Sequence, residues 1–308
     1  MAGCNCDMGL GNTGRPNCVP IQSVTSKLIL VPLFDSTGNP NRVELANLPI
    51  DFYTDFVNNV DASQRWFPLP EFENVEMPKA DAQFEESNSG RMVFLRQGKR
   101  SFTGELWADD SSPQLLGKLQ NNRCVDFGVY IVDVNGNLIG SQPEFDSVVN
   151  PTKYLYPIPV DNPSFNPTLQ FATDSTTQKI VVAFDFDRNF DESTLYMLTS
   201  AEAGTDFLSL DGLVDVNFVN LANTTSAIDV DAWLTYGTSL NRIKFTGATA
   251  SDFSLLNNTA GGPVTITACV ENLPTKGNYT LTCGLNTGDE YTLSINKIGF
   301  VGSYTFTA

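Results

Sequence analysis

The sequence predicts a mainly β protein in two parts: a β domain with one flanking helix, then a β-sandwich. Three observations predict it. Residues 98–141 parse as strand, capped helix, strand, tight turn and strand. The last ~140 residues carry about seven short period-two runs separated by Gly, Asn and Asp turns, the signature of a sandwich. Between them, residues 142–168 hold six prolines and few regular signals, as a boundary would. A chain of 308 residues with 41% hydrophobic content is long enough for about two cores.

Taken in order, residues 1–25 read as an N-terminal arm. Its first twenty residues contain four Gly, two Pro, three Asn and three Cys without periodicity. Residues 26–145 form the first β domain. Lys27 to Phe34 is a nearly continuous apolar run, a buried strand that Pro32 demotes to an edge or a bend. Phe52, Phe56 and Val57 have helical spacing. Glu71 to Glu86 is acidic and irregular and reads as a solvated loop, and Arg91 to Arg96 resumes a strand. Ser112 caps a helix with Pro113 at its first position. Leu115, Leu116 and Leu119 share its apolar face, opposite Gln114, Lys118 and Asn121. Val125 to Val132 alternates as a strand, and Asn135-Gly136 signals a hairpin whose two turn residues both tolerate positive φ. Residues 146–168 are the Pro-rich linker. Residues 169–308 form the sandwich, with strands at Ile180–Phe186, Leu213–Val219, Ile228–Tyr236, Arg242–Phe245, Val264–Val270, Tyr279–Cys283, Tyr291–Ile295 and Tyr304–Thr307.

Composition closes several function classes. The net charge is −17, from 35 acids against 18 bases, and no Lys/Arg cluster offers a duplex-binding face. With no histidine, Ser-His-Asp and Cys-His catalysis, His-ligated metals and histidine switching are excluded. No apolar run approaches the ~20 residues of a membrane span. The N-terminus lacks the basic and apolar regions of a Sec signal peptide, which places synthesis and retention in a cytoplasm.

Candidate chemistry is sparse. Cys4, Cys6 and Cys18 lack the fourth ligand of a zinc site and read as reduced thiols, so no metal is expected there. Asp185-x-Asp187-x-Asn189-x-Asp191 begins like an EF-hand loop, but Phe190 replaces the Gly and Tyr196 the terminal Glu, so a strand end and solvated turn are expected. Asp109-Asp110, Glu85-Glu86 and Asp289-Glu290 are the adjacency that 35 acids produce by chance. Gly9-x-Gly11-x-x-Gly14 lacks the strand and helix of a dinucleotide site. Asn223, Asn257 and Asn278 match the glycosylation pattern but no secretion signal accompanies them. Strand phase puts Cys269 on the polar face and Cys283 on the apolar face, so no bond between them is expected. No catalytic, cofactor-binding or metal residue is assigned, and the chain is not expected to be an enzyme. The 21 Phe, 9 Tyr and 3 Trp give a carbohydrate-binding decoration or adhesin a hearing, although most lie on the apolar phase of strands.

An ordered series of motifs resembles bacteriophage tail-tube (major tail) proteins of the Bacteroidetes-phage type. It runs from Cys18-Val-Pro20 through Leu28-Ile-Leu-Val-Pro-Leu-Phe34, Asp35-Ser-Thr-Gly38, Arg65-Trp-Phe-Pro-Leu-Pro70 and Gly98-Lys-Arg-Ser-Phe-Thr-Gly104. Leu115-Leu-Gly-Lys-Leu119, Cys124-x-x-Phe127 and Asp133-Val-Asn-Gly-Asn-Leu138 complete it, so the likeness covers about residues 1–145. The resemblance implies a tail-tube-like β-barrel or sandwich with a flanking helix, followed by an immunoglobulin-like domain by analogy of fold. It implies a virion protein forming homo-oligomeric rings that stack through arms and long loops into a tube. Neighbouring tail or neck proteins are its partners, and genomic DNA passes through an acidic lumen without specific binding. The same features fit a ring or connector protein between portal and nozzle of a short-tailed, crAss-like phage. Within such a ring, the polar helix face and the Asn135-Gly136 hairpin are the expected contact regions.

Overall fold

The computed structural model describes residues 21–142, 154–237 and 242–308. Cys4, Cys6, Cys18 and most of the expected arm lie outside these residues. No helix among the described residues is long and apolar enough to cross a membrane.

The strand Thr25–Pro32 sits inside a sheet rather than at an edge. It pairs antiparallel with Phe127–Asp133 on one side and with the short strand Phe67–Pro68 on the other. Pro32 is its last residue, where a missing N–H costs little. The continuous apolar run has a simple cause: both faces are buried. Leu28 and Leu30 point into one core, Ile29 and Val31 into another. Phe127–Asp133 repeats the pattern, with Val129 and Ile131 on the first side and Tyr130 and Val132 on the second. Leu138–Ser141 and Leu195–Leu198 extend this sheet, and Ile158–Pro159 pairs beside them on Phe127–Asp133.

A second sheet, in the order Asn166–Gln170, Lys179–Asp185, Ser101–Trp107, Glu73–Glu76, lies across the first core. Phe102, Leu106, Ile180, Val182 and Phe184 are its inward residues. The helix Pro113–Asn121 flanks it as expected. The Ser112 hydroxyl accepts the Leu115 N–H at 3.2 Å, and Leu119 is buried beside the half-buried Leu115 and Leu116. On the far side of the first sheet, Phe52, Trp66, Leu155, Ala203 and Phe207 form a third layer. Phe52 leads into a single π-helical turn, Tyr53–Val57.

Three expectations are corrected here. Both sheets end in distinct edge strands, so no barrel closes among the described residues. Lys179–Asp185 and Leu195–Leu198, expected in the C-terminal sandwich, complete the N-terminal sheets by pairing with Ser101–Trp107 and Leu138–Ser141. The described part of the Pro-rich stretch is woven in rather than linking. Tyr154–Leu155 pairs with Val43–Glu44, and Leu155, Ile158, Val160 and Phe165 are buried. Period-two alternation reports which face a strand buries; it does not name the partner.

From Val214 onward the strands pair among themselves. One sheet runs Ile266–Glu271, Asn278–Cys283, Ala227–Gly237, Val214–Thr224, with Phe300–Val301 parallel at its end and Arg242–Lys244 beside Ala227–Gly237. The other runs Gly262–Val264, Phe253–Asn257, Glu290–Ile295, Ser303–Thr307. Phe218, Ile228, Val230, Phe253, Tyr279, Tyr291 and Leu293 fill the core between them. Cys269 and Cys283 are both free thiols, but the phase argument about them fails. A register shift between Ile266 and Ala268 places Cys269 opposite the buried Leu281, so Cys269 also packs on the core. Cys283 lies opposite Ile266, a separate position in the ladder.

Candidate interaction surface

The feature least explained by the fold is a two-stranded ribbon, Gln83–Glu86 against Met92–Arg96. Ser87 to Gly90 turns it, with the Gly90 N–H donated to the Ser87 carbonyl and Gly90 at φ +76°. At the foot, Ala80 donates to the Lys99 carbonyl and Ser101 to the Pro78 carbonyl, so the ribbon grows out of the Glu73–Glu76/Ser101–Trp107 pair. Gly98 is required there, because a Cβ would lie 1.7 Å from the Ala80 carbonyl oxygen. Every residue of both ribbon strands is exposed. Phe84 is 53% exposed, Met92 63%, Phe94 52% and Leu95 54%. Phe84 and Phe94 meet edge to face across the strands at 5.7 Å. The acids Glu85 and Glu86 ride on the same strand. This region was expected to be an acidic loop followed by a strand. The signal for a hairpin was present in Ser87-Asn-Ser-Gly90 between Phe84 and Met92-Val-Phe-Leu95, but charge masked it.

A ribbon of two strands is marginal in water on its own. It also leaves two unpaired backbone edges. Natural proteins do not commonly expose contiguous apolar residues on both faces of such an element except where a partner covers them.

A charged pocket of about 470 Å³ sits at the ribbon's foot. Glu192 accepts from Lys79 at 2.9 Å and from Arg100 at 2.7 Å, and the Arg100 hydrogen bond leads in holding its carboxyl below the usual range. Lys99 bonds Asp161 and lies 3.4 Å from Asp185; the Asp161 bond raises the Lys99 ammonium. These cations are neutralised within the fold.

At the opposite end of the same sheet is a cleft of about 930 Å³. Its walls are the segment Arg65–Pro70, the helix Pro113–Asn121 and the connector 208–215. Lys27, 3% exposed, donates to the Leu208 carbonyl at 2.9 Å and lies 3.5 Å from Asp211. Lys118 pairs with Asp215 at 2.5 Å. Together they tie the connector over the cleft. Phe67 presents an exposed ring at its rim. Arg65 spends its guanidinium on the Asn59 and Val60 carbonyls and has no carboxylate partner among the described residues.

The regions expected to meet neighbours are engaged within the chain in part, at Lys118 and Gly136, while Asn121 and Asn135 are exposed. Lys118 is held by Asp215, as above. Gly136 is covered by the chain itself: Phe207 donates to the Gly136 carbonyl, and the Asn137 side chain accepts the Ser200 N–H at 3.1 Å. A Cβ on Gly136 would lie 2.0 Å from Asp206 Oδ1. Only Gly136 of that turn has positive φ. The Gly136 N–H bonds the Asp133 carbonyl, so this is a type I turn closed by a left-handed glycine rather than a two-residue loop.

The calcium-like string does not converge. Asp185 accepts from Ser101 and Lys99, Asp187 from the Asn189 N–H, and Asp191 from the Ser193 N–H. No cluster of three metal-ligating side chains occurs among the described residues. The sequence matches no family model and no curated protein.

Proposed function

We propose that the chain is a structural virion subunit of a phage tail that self-assembles into stacked rings around a DNA-conducting lumen. The observation that carries this reading is the ribbon 83–96, an element that buries nothing within its own chain and displays aromatic and aliphatic side chains on both faces. A homo-oligomer supplies the missing cover. The net charge of −17 fits a wall past which DNA moves without adhering, since phosphates are repelled by it. A single ring or connector between portal and nozzle uses the same contacts and differs only in whether rings stack.

The C-terminal strands support an immunoglobulin-like decoration domain. With Val214–Thr224 as strand A, the two sheets read A-B-E-D and C′-C-F-G. Tyr291, near the start of strand F (Glu290–Ile295), accepts the Asn286 N–H at 2.8 Å through its hydroxyl, in the manner of a tyrosine corner. The adhesin reading draws less support. No large hydrophobic residue that is exposed among the described residues of 214–308 is aromatic. Trp233 lies beneath the Arg242 guanidinium at 4.0 Å.

Negative-stain microscopy of the purified full chain tests the proposal. Rings or tubes are the expected result. A chain that stays monomeric at every concentration and binds glycans instead overturns it.

A further inference from the structure

We infer that the C-terminal sandwich is a hinged domain: it pivots at the junction of Leu213 and Val214, and the Lys118–Asp215 ion pair latches it closed over the cleft. The inference concerns a single chain and does not rest on the assembly reading above. The bonding pattern separates two bodies. Among the described residues, no strand of 214–308 pairs with a strand of 21–210, and no backbone hydrogen bond joins them. Nor do they share a core. The two cores of the first body hold buried residues from Leu28 to Leu210, and the core of the sandwich begins at Val216. Where two bodies share neither a sheet nor a core, motion between them is the default expectation.

The connector shows where the motion falls. Up to Leu213 it belongs to the first body. Leu210 is buried there, buried Lys27 holds the Leu208 carbonyl and Asp211, and Leu213 packs on the same core as Leu208. Gly212 lies so close to Pro68 that a Cβ would stand 3.0 Å from its carbonyl oxygen. From Val214 the chain belongs to the sandwich. The Val214 N–H donates to the Gly299 carbonyl at 2.9 Å, and Val214 and Asp215 pair with Phe300 and Val301. One link therefore carries the bend, and hinges need only a few residues.

Little holds the sandwich down. It meets the first body at the Gly299 turn, where a Cβ would lie 3.5 Å from the Tyr53 hydroxyl. It meets it again at the cleft, which Val214 and Val301 line together with Phe67 and Leu115 around about 930 Å³ of space. Lys118 reaches Asp215 at 2.5 Å, with 35% of one side chain and 46% of the other exposed. Such a pair biases a hinge without fixing it. Glu71, Asp110 and Asp211 line the same cleft, and with Asp215 they outnumber Lys27, Arg65 and Lys118. Lys118 therefore offsets a surplus of acid, and without it like charges push the sandwich away.

Small-angle X-ray scattering on the full chain tests this at low ionic strength, where charges in the cleft are least screened. Parent, Lys118→Gln and Asp215→Asn are compared in the same oligomeric species, with Lys118→Met in reserve if Lys118→Gln misfolds. The parent should give the scattering curve of the closed structure. Lys118→Gln should lengthen the maximum dimension by about 10 Å, on the scale of a domain of this size, whose radius of gyration is about 12 Å. Asp215→Asn should open the chain less, because it removes an acid along with the pair. Variants that scatter like the parent overturn the latch. A parent as extended as the variants overturns it equally.

Discussion

Two hairpins in this chain carry similar turn chemistry and have opposite fates. Phe127–Asp133 and Leu138–Ser141, joined through Gly136, are buried on both faces. Gln83–Glu86 and Met92–Arg96, joined through Gly90, are exposed on both faces. Local signals decide that a hairpin forms. Its burial depends on what the rest of the chain, or another chain, lays against it. The first hairpin is a structural element of the monomer, and the second awaits cover from outside.

The largest contrast should appear on deleting one aromatic ring from each. Tyr130 is fully buried, donates its hydroxyl to the Leu155 carbonyl at 2.8 Å and packs on Trp66 at 4.9 Å. Tyr130→Ala should cost about 3–5 kcal/mol in denaturant unfolding. Phe94→Ala should change monomer stability by less than about 0.5 kcal/mol, as exposed substitutions do. A large loss from Phe94→Ala would mean the ribbon packs within its own chain, and the comparison would break.

The turn glycines give the next contrast. Gly136 and Gly90 both have positive φ, so a side chain strains either. At Gly136 the added Cβ also meets Asp206 Oδ1 at 2.0 Å, whereas at Gly90 its nearest neighbour is the Glu86 carboxylate at 3.9 Å. Gly136→Ala should lower the melting temperature of the chain, by about 2 kcal/mol of stability. Gly90→Ala should cost about 1 kcal/mol, confined to the ribbon, and leave the global transition in place. Hydrogen exchange separates the two: faster exchange at 83–96 alone for Gly90→Ala, faster exchange across the first sheet for Gly136→Ala.

What the sequence disclosed follows the same division. Ser112, Pro113 and the Leu115/Leu116/Leu119 stripe named the helix, because capping and amphipathicity are local. Long-range pairing was not legible: nothing in Ile180 to Phe186 says that its partner is Ser101–Trp107, some 80 residues earlier in the chain. The Cys269 phase failed because one bulge near Ala268 reverses every face beyond it. The ribbon was missed for a different reason. Its acids resembled a solvated loop, and exposure of Phe84 and Phe94 on a paired strand is a fact of three dimensions. The Phe67 cleft, assembled from residues 27 to 301, had no sequence signal beyond the prolines that hold Arg65–Pro70 extended.

The smallest contrast is in acid. Asp133 closes the buried hairpin, its carboxylate accepting the Asn135 N–H at 2.9 Å and the Asn137 N–H at 3.0 Å, with a further bond from the Asn137 side chain. Burial pushes this carboxyl up, but the bonds from Asn137, Ser23 and Asn135 outweigh it, and its pKa falls below the ordinary Asp value. A carboxylate depressed in the fold contributes stability that is present above the unfolded pKa, about 3.9, and is lost as pH falls through the folded pKa. Asp133→Asn should therefore lower stability at neutral pH and flatten the decline below about pH 4. Glu86→Gln, on the exposed ribbon, should leave monomer stability at pH 7 within about 0.5 kcal/mol of the parent. Thermal melts from pH 2 to 7 on the two variants decide this, and an unchanged acid limb in Asp133→Asn would remove Asp133 as the anchor of the buried turn.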